Sequence, residues 1–467
     1  MIGFFVIFLA RICITEMIDF SASATYNEAV RNICSLGDSL SKLYVGKACS
    51  SMKRSILHID INNCYASIEC LHHPELNGLP VAVGGSVEAR HGIILAKNEI
   101  AKRFGVKTGE ALWQAKQKCK DLVVVPPNMP LYSRFCAFAR QIYLDYTDQM
   151  EPFGMDEAWL DVTGSGIFGS GEEIAQTIRE RIKEELGITV SIGVSFNKVF
   201  AKLASDYEKP DAVTVITEQY FKDIVWPLPA SDLLFVGRAA AKRLGGYGIH
   251  TIGDIARLQP QLLVGVLGKW GLMLHAYANG LDSSPVRRIT DEPREIKSIG
   301  NSTTTPRDIK DNEDVRLVIY MLAESVCTRM RAQGFHAKTV VLSVRDVNLR
   351  TFERQCKLEN PSCLSGELAR KAYELFQKNY NWYNPIRSIG VRACDLMYHD
   401  DCLQLDIYTD EEKRVKRERI EKTVDNLRSR FGDTSIQRAL LLSDKKLVGL
   451  DGKEEQDVFS EYGGDLL

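Results

Sequence analysis

Apolar and polar positions along this chain fall into short, well-separated runs. Ser55–Ile61 (SILHIDI) reads as a buried strand, and Cys64–Leu71 has helical spacing with Tyr65, Ile68 and Leu71 on one side. A strand over Leu79–Val83 stops at Gly84-Gly85. Ile93–Ala96 is another apolar run, Asn98–Phe104 a short helix ended by Gly105, and Ala111–Lys118 a further helix. Leu122–Val125 predicts a strand that Pro126-Pro127 terminates. A long amphipathic helix over Tyr132–Thr147 leads to a hairpin, Phe153–Val162, whose bend holds Asp156 and Glu157. Helix Ile174–Leu186, strand Thr189–Val194, helix Val199–Asp206 and strand Thr214–Ile216 follow. Strand, helix, hairpin, helix, strand is the order of a split βαβ sheet of the ferredoxin-like kind, with the acidic residues expected on its exposed face.

The pattern changes over Pro227–Leu281, where short helices alternate with Gly237-Arg238, with Gly245-Gly246-Tyr247-Gly248 and with Gly253-Asp254. A helix–glycine hairpin–helix places backbone N–H groups at a helix N-terminus, where they hold phosphate without reading bases. A small helical bundle with ordinary C-cap glycines has the same pattern, and the neighbouring Arg238, Lys242 and Arg243 leave the two readings evenly matched. Pro285–Glu295 is a polar linker. Beyond it, Ser298–Thr304, Thr339–Asp346, Arg350–Lys357 and Ser388–Leu396 read as strands, with helices at Asp314–Gln333 and Glu367–Asn379. These make a second α+β domain. A charged helix over Glu411–Arg430 and a loose acidic end close the chain.

At 467 residues the chain is long enough for three or four domains. Its composition, 45% hydrophobic and 26% charged, is globular. The net charge of −2 hides a basic module: Arg294–Asp395 holds 17 Lys/Arg against 12 Asp/Glu, a surplus of 5. Twelve cysteines without a Cys-x-x-Cys pair argue against a zinc ribbon or a secreted disulfide framework, and fit reduced thiols in a cytoplasm. Ile2–Ile14 is apolar but short and interrupted by Arg11, so it is neither a bilayer span nor a good signal peptide. Met52 is expected to be the natural start, with residues 1–51 an extension that is not native.

Asp60, Asp156 and Glu157 carry the candidate chemistry. Each sits at the end of, or between, apolar runs, where an ionised carboxylate is costly unless something positive compensates it. Hard divalent cations such as Mg²⁺ take such oxygen ligands together with substrate phosphates. Any one of these residues alone would as readily cap a loop. Three in matching contexts point to a metal site.

From about Met52 to about Leu442 the chain resembles the Y-family translesion DNA polymerases, in particular the bacterial DNA polymerase IV group. HIDINNCYASIE, PVAVGG, GIILAKNEIAKRFGVKTGEALWQA, PFGMDEAWLDVTGS, SIGVSFNKVFAKLASDYEKP and LLFVGRAAAKRL stand in that family's order and approximate spacing. The resemblance implies an α+β multidomain, right-hand-like polymerase. Its parts would be a ferredoxin-like palm (52–63 and 127–217), small fingers (64–126), a helical thumb with a helix-hairpin-helix (218–288), a linker (289–296) and an α+β little finger (297–398). A tail (399–467) would carry a clamp-binding motif.

The same resemblance implies roles for individual residues. Asp60, Asp156 and the Ile61 backbone carbonyl would bind two Mg²⁺ ions, and Glu157 would be the catalytic carboxylate near the primer 3′-hydroxyl. Tyr65 matches the aromatic steric gate that selects deoxynucleotides. Lys102 and Lys209 match positions that contact the triphosphate, and Gly237, Arg238, Gly246 and Gly248 would hold the DNA backbone. Gln404, Leu405, Asp406, Ile407 and Tyr408 resemble the peptide that docks on the bacterial sliding clamp; a short strand finishing the preceding domain is the alternative, and the place just past the last domain favours docking.

The chain departs from many relatives at Glu99 and Lys102, where they carry Tyr and Arg, and at Asn62, where they carry a second Asp. Lysine keeps the charge at 102 without the two-pronged grip of arginine. The activity implied is template-directed primer extension across damaged bases, at low fidelity, by a cytoplasmic monomer that binds primer–template DNA and dNTPs and not a membrane. The segments read above hold no second carboxylate cluster of the kind an editing exonuclease needs. A non-catalytic DNA-binding recruitment homologue would be expected to have lost the acidic set. A nucleotidyl cyclase shares the split sheet and two-metal chemistry, but has no use for a glycine hairpin, a basic second domain or a clamp peptide.

Overall fold

The computed structural model describes residues 54–85, 90, 92–292, 295–398 and 410–449. Residues 1–51 and the peptide Gln404–Tyr408 lie outside the described residues. The chain divides into Met1–Ser55 and Ile56–Leu467, and the fold below belongs to the second unit.

A five-stranded sheet organises the first half. Its order is β5 (Met150–Pro152), β6 (Glu157–Asp161), β1 (Ile56–Ile61), β7 (Val190–Ser195) and β8 (Val213–Ile216). β1 is antiparallel to both β6 and β7, while β8 runs parallel to β7. This is the split βαβ arrangement read from the sequence, extended by one strand. The hairpin begins three residues earlier than expected: its strands are Met150–Pro152 and Glu157–Asp161, so Glu157 begins a strand and only Asp156 lies in the turn.

All six residues of β1 are buried because both faces of the strand are covered. Leu57, Ile59 and Ile61 face a core completed by α1 (Cys64–His72), α4 (Met129–Leu144) and α5 (Gly171–Leu186). α5 shows why such a helix forms: Ser170 and Glu173 make a capping box, Ile174, Ile178 and Ile182 bury one stripe, and Gly187 ends it in the left-handed region. On the opposite face, Ile56, His58 and Asp60 meet α6 (Lys198–Tyr207). α6 can lie this close only because of Gly193 on β7, where a Cβ would come within 1.9 Å of the Ala201 carbonyl oxygen.

A small sheet, β3 (Ile94–Lys97), β2 (Val81–Gly84) and β4 (Val123–Val125), packs with α2 (Glu99–Arg103) and α3 (Leu112–Lys118) around Ala82, Ile94, Leu112 and Leu122. Short helices α7 (Phe221–Val225), α8 (Arg238–Gly245), α9 (Ile252–Arg257), α10 (Pro260–Leu267) and α11 (Lys269–Ala278) form a bundle. The bundle's core runs into Val199, Phe200, Leu203 and Ala204 on the back of α6.

The second half is a four-stranded antiparallel sheet in the order β11 (Thr351–Ser362), β10 (Phe335–Asp346), β12 (Ile386–Tyr398), β9 (Ser298–Ile309). Helices α12 (Asn312–Ala332) and α13 (Ser365–Asn379) cover one face over Val340, Leu342, Ile389 and Val391. The strands are longer than the sequence pattern suggested, because Pro306 and Pro361 sit inside β9 and β11, both edge strands that tolerate a missing N–H. The last helix, α14 (Glu411–Phe431), lies against this domain through Arg331, which pairs with Glu421 and Asp425.

Candidate active site

Two neighbouring strands and one turn position the acidic set. Asp60 on β1 stands directly across the ladder from Glu157 on β6. Asp156 precedes Glu157, and its carbonyl accepts the Ile61 N–H at 3.1 Å, which ties the turn to the end of β1. The three carboxylates predicted from sequence therefore converge, together with Ile61. They are not on an open sheet face as the pattern implied. Asp60 is only 9% exposed, and Asp156 and Glu157 are half-buried, because α6 covers this face.

Lysines from that helix and the residues just beyond it reach the carboxylates. Lys209 Nζ lies 2.7 Å from Asp60 Oδ2 and 2.6 Å from Asp206 Oδ1. Lys202 Nζ lies 2.7 Å from Glu157 Oε2 and 3.7 Å from Asp206 Oδ2. His58, on the same face of β1 as Asp60, is fully buried, with Nδ1 2.8 Å from Ser205 Oγ. Its Nε2 comes within 3.2 Å of Glu157 Oε2.

These surroundings push the acids apart. Burial raises Asp60, the Lys209 ammonium offsets this only in part, and the carboxyl stands at about 7. Burial also raises Asp156. For Glu157, burial acts upward, but His58 and the Lys202 ammonium outweigh it and hold the carboxyl at about 2. Burial lowers the His58 imidazole to about 4, so the ring is neutral at pH 7. Glu157 is thus a permanent carboxylate, while Asp60 and Asp156 are negative groups still short of positive charge. This donor set, all oxygen and only partly compensated, fits a hard divalent cation.

Asn62 does not reach this cluster. Its amide donates to Thr189 Oγ1 at 3.1 Å and accepts from Ser191 Oγ at 2.8 Å, a pairing that uses both ends of the amide. Tyr65 begins α1 and stacks on Tyr132 at 4.5 Å with the rings 11° from parallel, and the Tyr132 hydroxyl donates to Glu69 Oε1 at 2.5 Å. The ring is therefore braced from behind by an anchored neighbour. Glu99 explains itself locally: it accepts from Asn63 Nδ2 at 3.1 Å and from Lys102 Nζ at 3.3 Å, joining α2 to the start of α1. Lys102 bonds Glu99 and none of the three carboxylates.

In the helical bundle, Gly237 and Arg238 stand exposed at the N-terminus of α8. Gly246 and Gly248 lie beyond its other end. Their amides donate to Lys242 O at 3.2 Å and Gly245 O at 3.1 Å, so these two glycines shape the turn and do not offer free donors, contrary to the sequence reading. Sequence reasoning missed His58, Lys202 and Asp206. The period of two from Asp60 points to His58, and the 202–206–209 spacing places one lysine–aspartate–lysine row on and just past a helix.

Among the described residues, no helix is long and apolar enough to cross a membrane. The sequence model of the impB/mucB/samB family matches residues 59–206, and that of its C-terminal domain matches residues 296–407. The chain is 54% identical to DNA polymerase IV of Acetivibrio thermocellus over 397 residues, covering 85% of this chain and 99% of that protein. It is 36% identical to DNA polymerase IV 1 of Bacillus subtilis, covering 87% and 98% of the two chains. Among solved structures it resembles a Y-family DNA polymerase chimera, with a TM-score of 0.65 and 25% identity over 74% of this chain and 99% of that one. The converging acids, the split βαβ sheet and this similarity along nearly the whole length of its relatives agree: the chain belongs to the DNA polymerase IV group of the Y-family DNA polymerases.

Proposed function

We propose that the chain is a template-directed DNA polymerase of low fidelity that performs translesion synthesis, joining a dNTP to a primer 3′-hydroxyl by two-metal nucleotidyl transfer. The observation that carries this reading is the buried acidic cluster, in which Asp60 at about 7 and the raised Asp156 adjoin a permanently ionised Glu157. Asp60, Asp156 and the Ile61 carbonyl are the groups to hold two Mg²⁺ ions. Such ions would lower the pKa of the 3′-hydroxyl and neutralise charge on the departing pyrophosphate. Glu157 stays anionic beside the primer end, held so by His58 and the Lys202 ammonium. Lys209, already within 2.7 Å of Asp60, is in reach of a triphosphate drawn to the same carboxylates. Lys102 is the second cation assigned to it.

The braced Tyr65 ring is assigned as the steric gate. Gly237 and Arg238 are assigned to the DNA backbone. The open face of the second sheet suits the same polyanion: it presents Ser302, Thr304, Ser343 and Ser388 with Arg345 and Arg392, and a Cβ on Gly390 would come within 2.5 Å of Ser343 Oγ. We divide the chain accordingly into palm (52–63, 127–217), fingers (64–126), thumb (218–288), linker (289–296), little finger (297–398) and tail (399–467). The peptide 404–408 is assigned to the sliding clamp, and the protein is placed as a monomer in the cytoplasm, in keeping with eight described cysteines that form no disulfide. A recruitment homologue without chemistry would have no use for the intact acidic set.

Extension of a labelled primer–template with Mg²⁺ and dNTPs tests the central reading. Wild type extends, while Asp156→Ala loses at least about 10³-fold in rate yet still binds DNA; extension that survives in the variant refutes the metal assignment. In the same assay Tyr65→Ala is expected to incorporate ribonucleotides, and unchanged sugar selection removes the gate from Tyr65. Because protons compete for Asp60 near pH 7, apparent Mg²⁺ affinity should fall by up to roughly tenfold per pH unit below 7 and level off above it. Calorimetric titrations at several pH values check this, and a flat profile contradicts it. Deleting 404–408 should abolish clamp-stimulated synthesis and leave clamp-independent extension intact; equal losses of both would place the peptide elsewhere.

A further inference from the structure

A second convergence of ligand-type side chains lies in the other half of the molecule. His336 on β10, Cys363 just after β11 and Glu418 on α14 are all buried and come from three separate segments. His336 Nε2 is 3.5 Å from Cys363 Sγ and 3.7 Å from Glu418 Oε2, and the three donor atoms lie within 4.8 Å of one another. With Zn–N, Zn–O and Zn–S bonds of about 2.0–2.3 Å, a tetrahedral centre sets its ligand atoms roughly 3.4–3.6 Å apart. The His336–Cys363 separation matches the roughly 3.5 Å set by nitrogen and sulfur ligands, a spacing also within reach of an ordinary thiol–imidazole hydrogen bond, and the His336–Glu418 separation is about 0.3 Å wider than nitrogen and oxygen ligands require.

An ordinary ion pair explains the geometry less well. A buried imidazolium–carboxylate pair closes to about 2.7–2.9 Å, whereas these atoms stay at 3.7 Å. The other carboxylate oxygen of Glu418 is held by Lys422 Nζ at 3.2 Å, which leaves Oε2 turned toward His336. The backbone of Cys363 is fixed as well: its carbonyl accepts from Arg331 Nη1 at 2.8 Å, and Arg331 in turn pairs with Glu421 and Asp425 of α14. Groups that orient ligands from outside in this way are characteristic of built metal sites.

We propose that His336, Cys363 and Glu418 form a binding site for a zinc-class divalent ion, with water as fourth ligand, that clips α14 to the second sheet. A sulfur, a nitrogen and a carboxylate oxygen select zinc over magnesium, so the site is chemically distinct from the all-oxygen cluster at Asp60. Coordination takes the thiolate, and the thiol proton passes to solvent.

The test is titration of the chelator-stripped full-length protein with Co²⁺, followed by Zn²⁺. Wild type should develop a saturable sulfur-to-cobalt charge-transfer band at one equivalent, which Zn²⁺ bleaches, and Zn²⁺ should raise its melting temperature. Cys363→Ser should lose the band and the thermal response while still extending primers with Mg²⁺. Cys64→Ser, near the polymerase carboxylates, should keep both. Glu418→Gln should weaken Zn²⁺ binding at least tenfold. Absence of a saturable band in wild type, or its persistence in Cys363→Ser, overturns the proposal. Should Cys363→Ser fail to fold, Zn²⁺ affinity unchanged in Glu418→Gln overturns it equally.

Discussion

Carboxylates buried at the end of β1 and β6 need positive charge, and most of the first half of the molecule is arranged to supply it. Lys202 neutralises Glu157 and Lys209 half-satisfies Asp60, both delivered by α6 or the residues just past it. What remains on Asp60 and Asp156 is an unpaid desolvation cost that a divalent ion relieves. The cluster is therefore only partly neutralised: a lysine ammonium holds the acid set together, and negative charge on it stays incompletely compensated.

The placement of α6 rests on very little space. Gly193 lets its backbone approach the strands, and from there one side of the helix faces Glu157 and His58 while the other, through Val199, Phe200, Leu203 and Ala204, enters the core of the helical bundle. Lys198 adds a buried pair with Glu151 at 2.6 Å and lies 4.5 Å from the centre of the Trp159 ring. The five-stranded sheet and the helical bundle thus share one helix. A change in the packing of the bundle reaches the carboxylates directly, since Lys202 is carried on the element the two cores share and Lys209 lies just past it.

Local signals in the sequence were enough for elements whose ends are set by local chemistry. α5, with its capping box at Ser170 and glycine stop at Gly187, and β1, with its apolar run, fall where the pattern placed them. The acidic cluster was legible because Asp156 and Glu157 are adjacent and Asp60 sits in an equivalent strand context. His58, Lys202 and Asp206 were not, since their roles depend on α6 crossing a strand more than a hundred residues earlier in the chain. The edge strands of the second sheet were read short because Pro306 and Pro361 look like breakers until their edge positions are known. The cluster at His336, Cys363 and Glu418 has no motif spacing at all, and only the fold brings it together.

α14 poses a problem of its own. It has no continuous apolar stripe, and Ile420 and Phe431 are 54% and 66% exposed, so hydrophobic burial does little to hold it. It docks through charges: Arg331 with Glu421 and Asp425, and Glu324 with Arg428 and Arg438. Partly buried ion pairs give register but little net free energy, because desolvation cancels much of the attraction. A helix attached in this way is well aligned and weakly held. Metal coordination has the opposite balance, since a few bonds from fixed ligands supply strong attachment over a small area. The buried histidine and cysteine of the second sheet and the glutamate on the helix lie where that complement is needed, at the contact between the two.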